Sequence, residues 1–285
     1  MAEIKIAGLM RAGIYSPNHI GNDAAILNIV AEQLRKRGFE VNTYSEEQFC
    51  AGKVTEHIIL NMCRQPASIE LLQQREDDGD LVLNSGYGIE NCIRERMARI
   101  LLGSGIPYPE SFVVNTDEGV RTMLTDAGFN QCWIKRADCF AMHKEDVTYV
   151  RHIEEAQEML QEFFLRGIKR AVINRHLPGE LVKFYGVAGT SFFFWFYPRE
   201  DKPTADSPAT DTHTPFDVEE LKRICARAAE VLDVKIYGGD CIIGAHGAIS
   251  IIDFKDWPSF APCRNEAAPQ IARLVMKEIK ERNKK

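Results

Sequence analysis

The sequence has no Cys-x-x-Cys pair. Its cysteines, Cys50, Cys63, Cys92, Cys132, Cys139, Cys225, Cys241 and Cys263, stand singly along 285 residues. That spacing argues against a zinc ribbon or a dense disulfide framework and predicts reduced thiols in a cytoplasmic protein. No apolar run reaches the ~18 residues of a membrane span, and the opening MAEIKIAGLMR is too short an apolar stretch for a secretory leader. Positive charge is not in excess: the formal net charge is -6, so no general field favours nucleic acid, and any polyanion site has to be local. The 7 histidines show no metal-ligand spacing. Internal repeats are absent, and the one biased stretch, EDKPTADSPATDTHTP, reads as an exposed loop.

The length suits two or three small lobes. EIKIAGLM, FEVNTYS, EHIILNMC and LVLNS read as strands, with helices at DAAILNIVAEQLRKRG and SIELLQQREDDG. This rhythm predicts an α/β N-terminal lobe with a mostly parallel sheet over residues 1–90. IENCIRERMARILLGSG reads as one helix, with Ile93, Met97, Ile100 and Leu101 on one side. The pattern then becomes α+β, predicting two further lobes over 91–183 and 184–285. Their strands are ESFVV, QCWIKR, DVTYVR, AVINRH, LVKFYGVAG and SFFFWFYPRE, with helices around 117–127 and 154–166. Asp217 and Glu220 make a capping box for the helix VEELKRICARAAEVL. IYGGDCIIG and AISIIDFKD form a hairpin turning at Ala245-His246-Gly247, and a last helix carries Ile271, Leu274, Val275 and Ile279 at helical spacing.

Charges sit where strands should be apolar. Lys135 lies inside CWIKR, and Lys183 inside LVKFYGV, where an ammonium needs an anionic partner. In SIIDFKDWPSF, Asp253 and Lys255 share one face and Asp256 takes the other. Asp240, on the partner strand, can face Asp253. Two converging carboxylates are costly unless a cation lies between them.

GIPYPESFVV, CWIKR, VINRHLPGELVKFYGVAG and YGGDCIIG with ISIIDFKDWPSF occur in the order of the ATP-grasp superfamily, which the chain resembles over about residues 84 to 262. The resemblance implies ATP held between the two α+β lobes, with Lys135 and Arg94 on its phosphates. It implies a hinge at Val172, Ile173, Asn174 and Arg175 for adenine. Lys183 would meet a phosphate or acyl phosphate, and Asp240 and Asp253 would bind Mg²⁺. Where the family usually has Asn, this chain has Lys255, expected to replace part of a second metal's charge. Lys183, Lys255 and Arg264 are the candidate catalytic cations; Arg136, His143, Arg175 and His176 are expected to join Lys183 and Arg264 in a basic pocket. The loop RADCFAMHKEDV after Lys135 has no glycine for close backbone approach to phosphate.

The activity implied is that of an ATP- and Mg²⁺-dependent carboxylate–amine ligase working through an acyl phosphate on a small molecule, similar to the RimK-like ligases. The alternative is a kinase like the inositol phosphate kinases, passing the γ-phosphate to a hydroxyl; a non-catalytic nucleotide-binding protein is the third reading. The partner expected is a small carboxylate or polyol phosphate, with neither nucleic acid nor membrane, and a homo-oligomer is left open. Gly13, Asn18 and Asn84-Ser85-Gly86, at strand ends, are expected to line the acceptor pocket.

Overall fold

A computed structural model describes residues 4–15, 20–138, 140, 143–198 and 213–284. Among these residues three four-stranded sheets follow one another. The first contains β1 (Lys5–Met10), β2 (Glu40–Ser45), β3 (Ile58–Asn61) and β4 (Leu81–Leu83) in the order β2-β1-β3-β4, with every pairing parallel. Helices α1 (Ile20–Arg35), α2 (Glu46–Cys50) and α3 (Pro66–Asp77) connect these strands, and α4 (Gly86–Asn91) follows the last. Parallel strands need such crossovers, and the first sheet accordingly reads as short apolar strands between amphipathic helices.

The helix expected across IENCIRERMARILLGSG is broken. Ile93 is extended (φ -65°, ψ 133°), so α4 ends before it and α5 (Arg94–Gly103) starts after it. Gly88 fixes the place of α4, because a Cβ there would lie 2.0 Å from the Asp233 carbonyl oxygen.

The second sheet is antiparallel, in the order β5-β8-β6-β7, with β5 (Ser111–Asn115), β6 (Cys132–Arg136), β7 (Val147–Val150) and β8 (Arg170–Arg175). Helices α6 (Arg121–Asp126) and α7 (Ile153–Leu165) cover it, and their shared core includes Leu124, Ile134, Leu160, Phe163 and Ile173. The third sheet is also antiparallel, ordered β10-β9-β11-β12, from β9 (Glu180–Val187), β10 (Phe193–Phe196), β11 (Ile236–Ile243) and β12 (Ile249–Asp256). Strand β9 runs through position 183, where the sequence reading divides the second and third lobes, yet it pairs along its length with β11.

Helix α8 (Val218–Val231) starts from Asp217, whose side chain accepts the Glu219 and Glu220 amides. Helix α9 (Arg264–Arg282) returns to the first lobe. Its Ile271, Val275 and Ile279 share a core with Ile26, Val30 and Leu34 of α1, and with Val187 and Ile236 of the third sheet. The first and third sheets therefore have one continuous core, while most of the second sheet's core is its own.

Between Asp240 and Cys241 the register of the β11–β12 hairpin slips by one, leaving Ile252 without a cross-strand partner. A one-residue bulge reverses which side chains face which way. Before it, Ile249 and Ile251 are buried; beyond it Phe254 and Asp256 are buried, and Asp253 and Lys255 turn to the opposite face.

Candidate functional site

The register of the third sheet places Phe196, Lys183, Asp240 and Asp253 in one row across β10, β9, β11 and β12. Lys183 Nζ donates to Asp240 Oδ1 at 2.7 Å. Lys255, two residues beyond Asp253 on the same face, places its Nζ 3.2 Å from Asp240 Oδ2 and 3.2 Å from Asp253 Oδ2. The acids meet, as the strand pattern predicts, and the cation between them is a lysine.

Charge dominates the titration of this row. Burial acts to raise Asp253, but Lys255, Arg94 and Lys135 overcome it and hold the carboxyl down to about 2. Asp240 is likewise lowered against its burial, by Lys255 and Lys183. Lys255 is raised, by Asp240 first, and then by Asp253 against desolvation.

The second sheet adds Lys135. Its side chain crosses from β6 and donates to the Ile252 carbonyl, the group left by the bulge, at 2.9 Å. Burial, with Arg94 and Lys255 acting in the same sense, lowers Lys135 to about 8 despite Asp253 and Asp240.

Arg94 opens α5, where the helix dipole disfavours a cation. One Nη donates to the Arg136 carbonyl at 3.4 Å, and the buried Nε finds no acceptor among the described residues. A guanidinium so placed is suited to an anion.

Arg94, Lys183, Asp240, Asp253 and Lys255 form one wall of a cavity of about 780 Å³, behind which Lys135 stays buried. The first lobe supplies another, through Arg11, Asn22, Asp23 and Arg64. Arg11 bonds Asp23 at 2.9 Å and the Trp257 carbonyl at 3.0 Å. Arg64 pairs with the fully buried Asp256 at 2.7 Å and lies 3.8 Å over the Phe140 ring. Asp256 thus serves the join between lobes, while Asp253 and Lys255 serve the cavity. Among the lining residues Arg11, Arg64, Arg94, Lys183 and Lys255 outweigh Asp23, Asp240 and Asp253, a local positive excess on a protein of net charge -6.

Several expected site residues stand elsewhere. Val172, Ile173, Asn174 and Arg175 lie in β8, flanked by β5 and β6, so their backbone groups serve the sheet rather than an adenine hinge. The Asn174 amide bonds Ser111 Oγ at 2.6 Å, and Arg175 pairs with Glu110 and lies 4.3 Å over Phe129. Arg264 does not line the cavity; it holds Asn22 Oδ1 at 3.0 Å and so acts on α1. Of the expected basic pocket only Lys183 lines the cavity. Arg136 pairs with Asp138 at 2.7 Å, and His176 Nδ1 accepts from Trp133 Nε1 at 3.2 Å.

Asn84 is buried and ties the lobes together through the Lys235 and Ile236 amides, at 2.9 Å each, rather than lining a pocket. Gly13 opens a short turn of 3-10 helix, and Asn18 lies outside the described residues, as does Cys139 of the glycine-free loop.

Arg11 and Arg64 were missed by the sequence reading. Both follow strands of the parallel sheet at their carboxyl ends, where open α/β sheets gather ligand groups, and that position was the available signal.

The expected Mg²⁺ site does not fit as built. The oxygens that would ligate an ion between Asp240 and Asp253 already accept from Lys255, and no group of three or more His, Cys, Asp or Glu side chains suited to a metal occurs among the described residues.

No family model and no curated protein matches the sequence. Solved structures do. The D-alanine–D-alanine ligase from Bacillus anthracis complexed with ATP superposes with a TM-score of 0.76 at 13% identity, over 100% of this chain and 99% of that one. The D-cycloserine synthetase DcsG gives 0.68 at 14% identity, over 96% and 99%. The ATP-grasp ligase PsnB complexed with minimal precursor, Mg and ADP gives 0.65 at 16% identity, over 98% and 99%. The chain therefore has the ATP-grasp fold. Among the described residues no helix is long and apolar enough to cross a membrane.

Proposed function

We propose that the protein is an ATP-dependent carboxylate–amine ligase acting on a small molecule. The observation that carries this reading is the Arg94 guanidinium, its buried Nε unpartnered, facing the cavity beside Lys183 and Lys255. Two of the neighbouring structures, the D-alanine–D-alanine ligase and PsnB, are described as complexed with ATP and with ADP, which supports a nucleotide as the anion.

In this reading Arg94, Lys135 and Lys183 hold the phosphates. The connection between β8 and β9, with Gly179, is taken as the boundary between the second and third lobes. A substrate carboxylate oxygen bonds to the γ-phosphorus as the bond to ADP breaks. An amine then attacks the acyl carbon of that acyl phosphate, phosphate leaves, and the amine loses a proton. Fixed cations favour both steps by meeting charge that develops on phosphoryl and carbonyl oxygens. Lys183 and Lys255 are placed for this; Arg264 is a positioning residue through Asn22. A small carboxylate suits the positive excess of the cavity, and a cytoplasmic setting suits the free cysteines.

The test incubates the protein with ATP and MgCl₂ against carboxylates paired with amines. ADP and inorganic phosphate are expected in equal amounts, and only when both substrates are present. Lys183→Met should lower turnover about 100-fold or more with the fold retained. ADP without free phosphate would indicate a kinase. Stabilisation by ATP without turnover across the panel would indicate a binding protein.

A further inference from the structure

We propose that the ammonium of Lys255 is the resident cation of the Asp240–Asp253 pair, so that the protein engages nucleotide phosphates without a divalent ion between those two carboxylates. Lys255 Nζ stands at the same distance, 3.2 Å, from one oxygen of each acid, and the other Asp240 oxygen accepts from Lys183 at 2.7 Å. Two ammonium groups thus match two carboxylates before any ligand arrives.

The backbone builds this arrangement. The bulge at Ile252 turns Asp253 and Lys255 to the face that carries Asp240, and the cross-strand partner of Lys255 is Gly238, which places no side chain beside it. An ammonium donates and cannot ligate, so an ion could enter between the acids only after Lys255 had left. With Lys135 and Arg94 close enough to act on Asp253, a further positive ion there would also meet net repulsion. A divalent ion carried on the phosphates, away from this pair, is a separate matter.

Two arms test the proposal. The first titrates Mn²⁺ into nucleotide-free protein and follows the free-ion paramagnetic resonance signal. The wild type should take up no ion at the pair. Lys255→Asn, which removes the charge and adds an oxygen ligand, should bind one ion per chain, and adding Asp253→Asn should abolish that binding.

The second arm rests on the proposed function. It measures affinity for AMP-PNP in MgCl₂ and in EDTA. From MgCl₂ to EDTA, Lys255→Asn should lose about tenfold more affinity than the wild type loses, and should recover it in MgCl₂. Lys255→Met, with neither charge nor ligand oxygen, should be weak in both. Because the Lys255 side chain is 45% exposed, these variants are expected to fold, and circular dichroism checks that.

Wild-type uptake of Mn²⁺ at the pair as tight as in Lys255→Asn would overturn the proposal, as would a wild-type loss of AMP-PNP affinity in EDTA as large as that of Lys255→Asn. If no variant binds AMP-PNP in either buffer, the proposed function falls, and the Mn²⁺ titration alone decides the role of Lys255.

Discussion

Lys135 is a cation held in a place that disfavours its charge. Burial lowers it to about 8, below the ordinary lysine value, so in the free protein its charge costs stability at low pH. Stability should rise as pH climbs from about 8 towards about 10.4, where the unfolded chain still holds the proton. A phosphate beside Lys135 raises it again. Binding of AMP-PNP at about pH 8.5 should therefore take up part of a proton, and near pH 6.5 none, since the group is already charged. Calorimetry in two buffers of different ionisation enthalpy measures this; Lys135→Met should abolish the uptake, and an uptake equal at both pH values would contradict the assignment. Residues of this kind were legible, since Lys135, Lys183, Asp240 and Asp253 are charges inside apolar strands. Arg11 and Arg64 follow strands and give no such contrast. Val172 to Arg175 misled because apolar periodicity does not reveal that both edges of a strand are paired.

At the scale of elements, the β11–β12 hairpin is the part on which the site depends. A Cβ at Gly239 would lie 2.3 Å from the Asp253 carbonyl oxygen and 2.6 Å from Phe184 Cζ. Gly239→Ala should cost about 1–3 kcal/mol, read by denaturant unfolding. Gly103→Ala, at the open end of α5 with nothing within 4 Å, should change stability by no more than about 1 kcal/mol, in the favourable direction. Equal losses at the two positions would contradict the packing described.

A second device sits at the start of α4, where Glu76 accepts from Ser85 Oγ at 3.1 Å and the Gly86 amide at 3.3 Å. Burial raises its carboxyl to about 7. The folded protein therefore holds this proton more tightly than the unfolded chain, and the stability so gained is lost as pH rises through about 7. Glu76→Gln should flatten the fall in Tm between about pH 5.5 and pH 8; an unchanged pH dependence would contradict this. Hairpin and helices were legible from alternation, turn residues and caps. The bulge at Ile252 was not, because nothing in ISIIDF marks a slipped register, and the break at Ile93 was hidden by helical spacing that continues through it.

The molecule as a whole is held by joins far apart in sequence. Arg64 and Asp256 form a buried pair between the first lobe and the end of the third sheet. Arg64→Met leaves that carboxylate buried and unpaired, which should cost about 3–5 kcal/mol. Adding Asp256→Asn should restore most of the loss; a double variant no more stable than the single one would contradict the pairing. The order of the three lobes was legible because their motifs follow one another along the chain. The return of α9 to α1 was not, since amphipathic spacing shows that a helix has a buried face and leaves its partner unnamed. Nor did the spacing show that the cavity lies between the first and third lobes.

The measurement that bears most directly on the proposed activity is a crystal structure of the protein with AMP-PNP. Its phosphates should lie within hydrogen-bonding distance of Arg94, Lys135 and Lys183, with the γ-phosphate open to the cavity lined by Arg11 and Asn22. A nucleotide bound elsewhere, or phosphates that leave the Arg94 guanidinium without a partner, would contradict it.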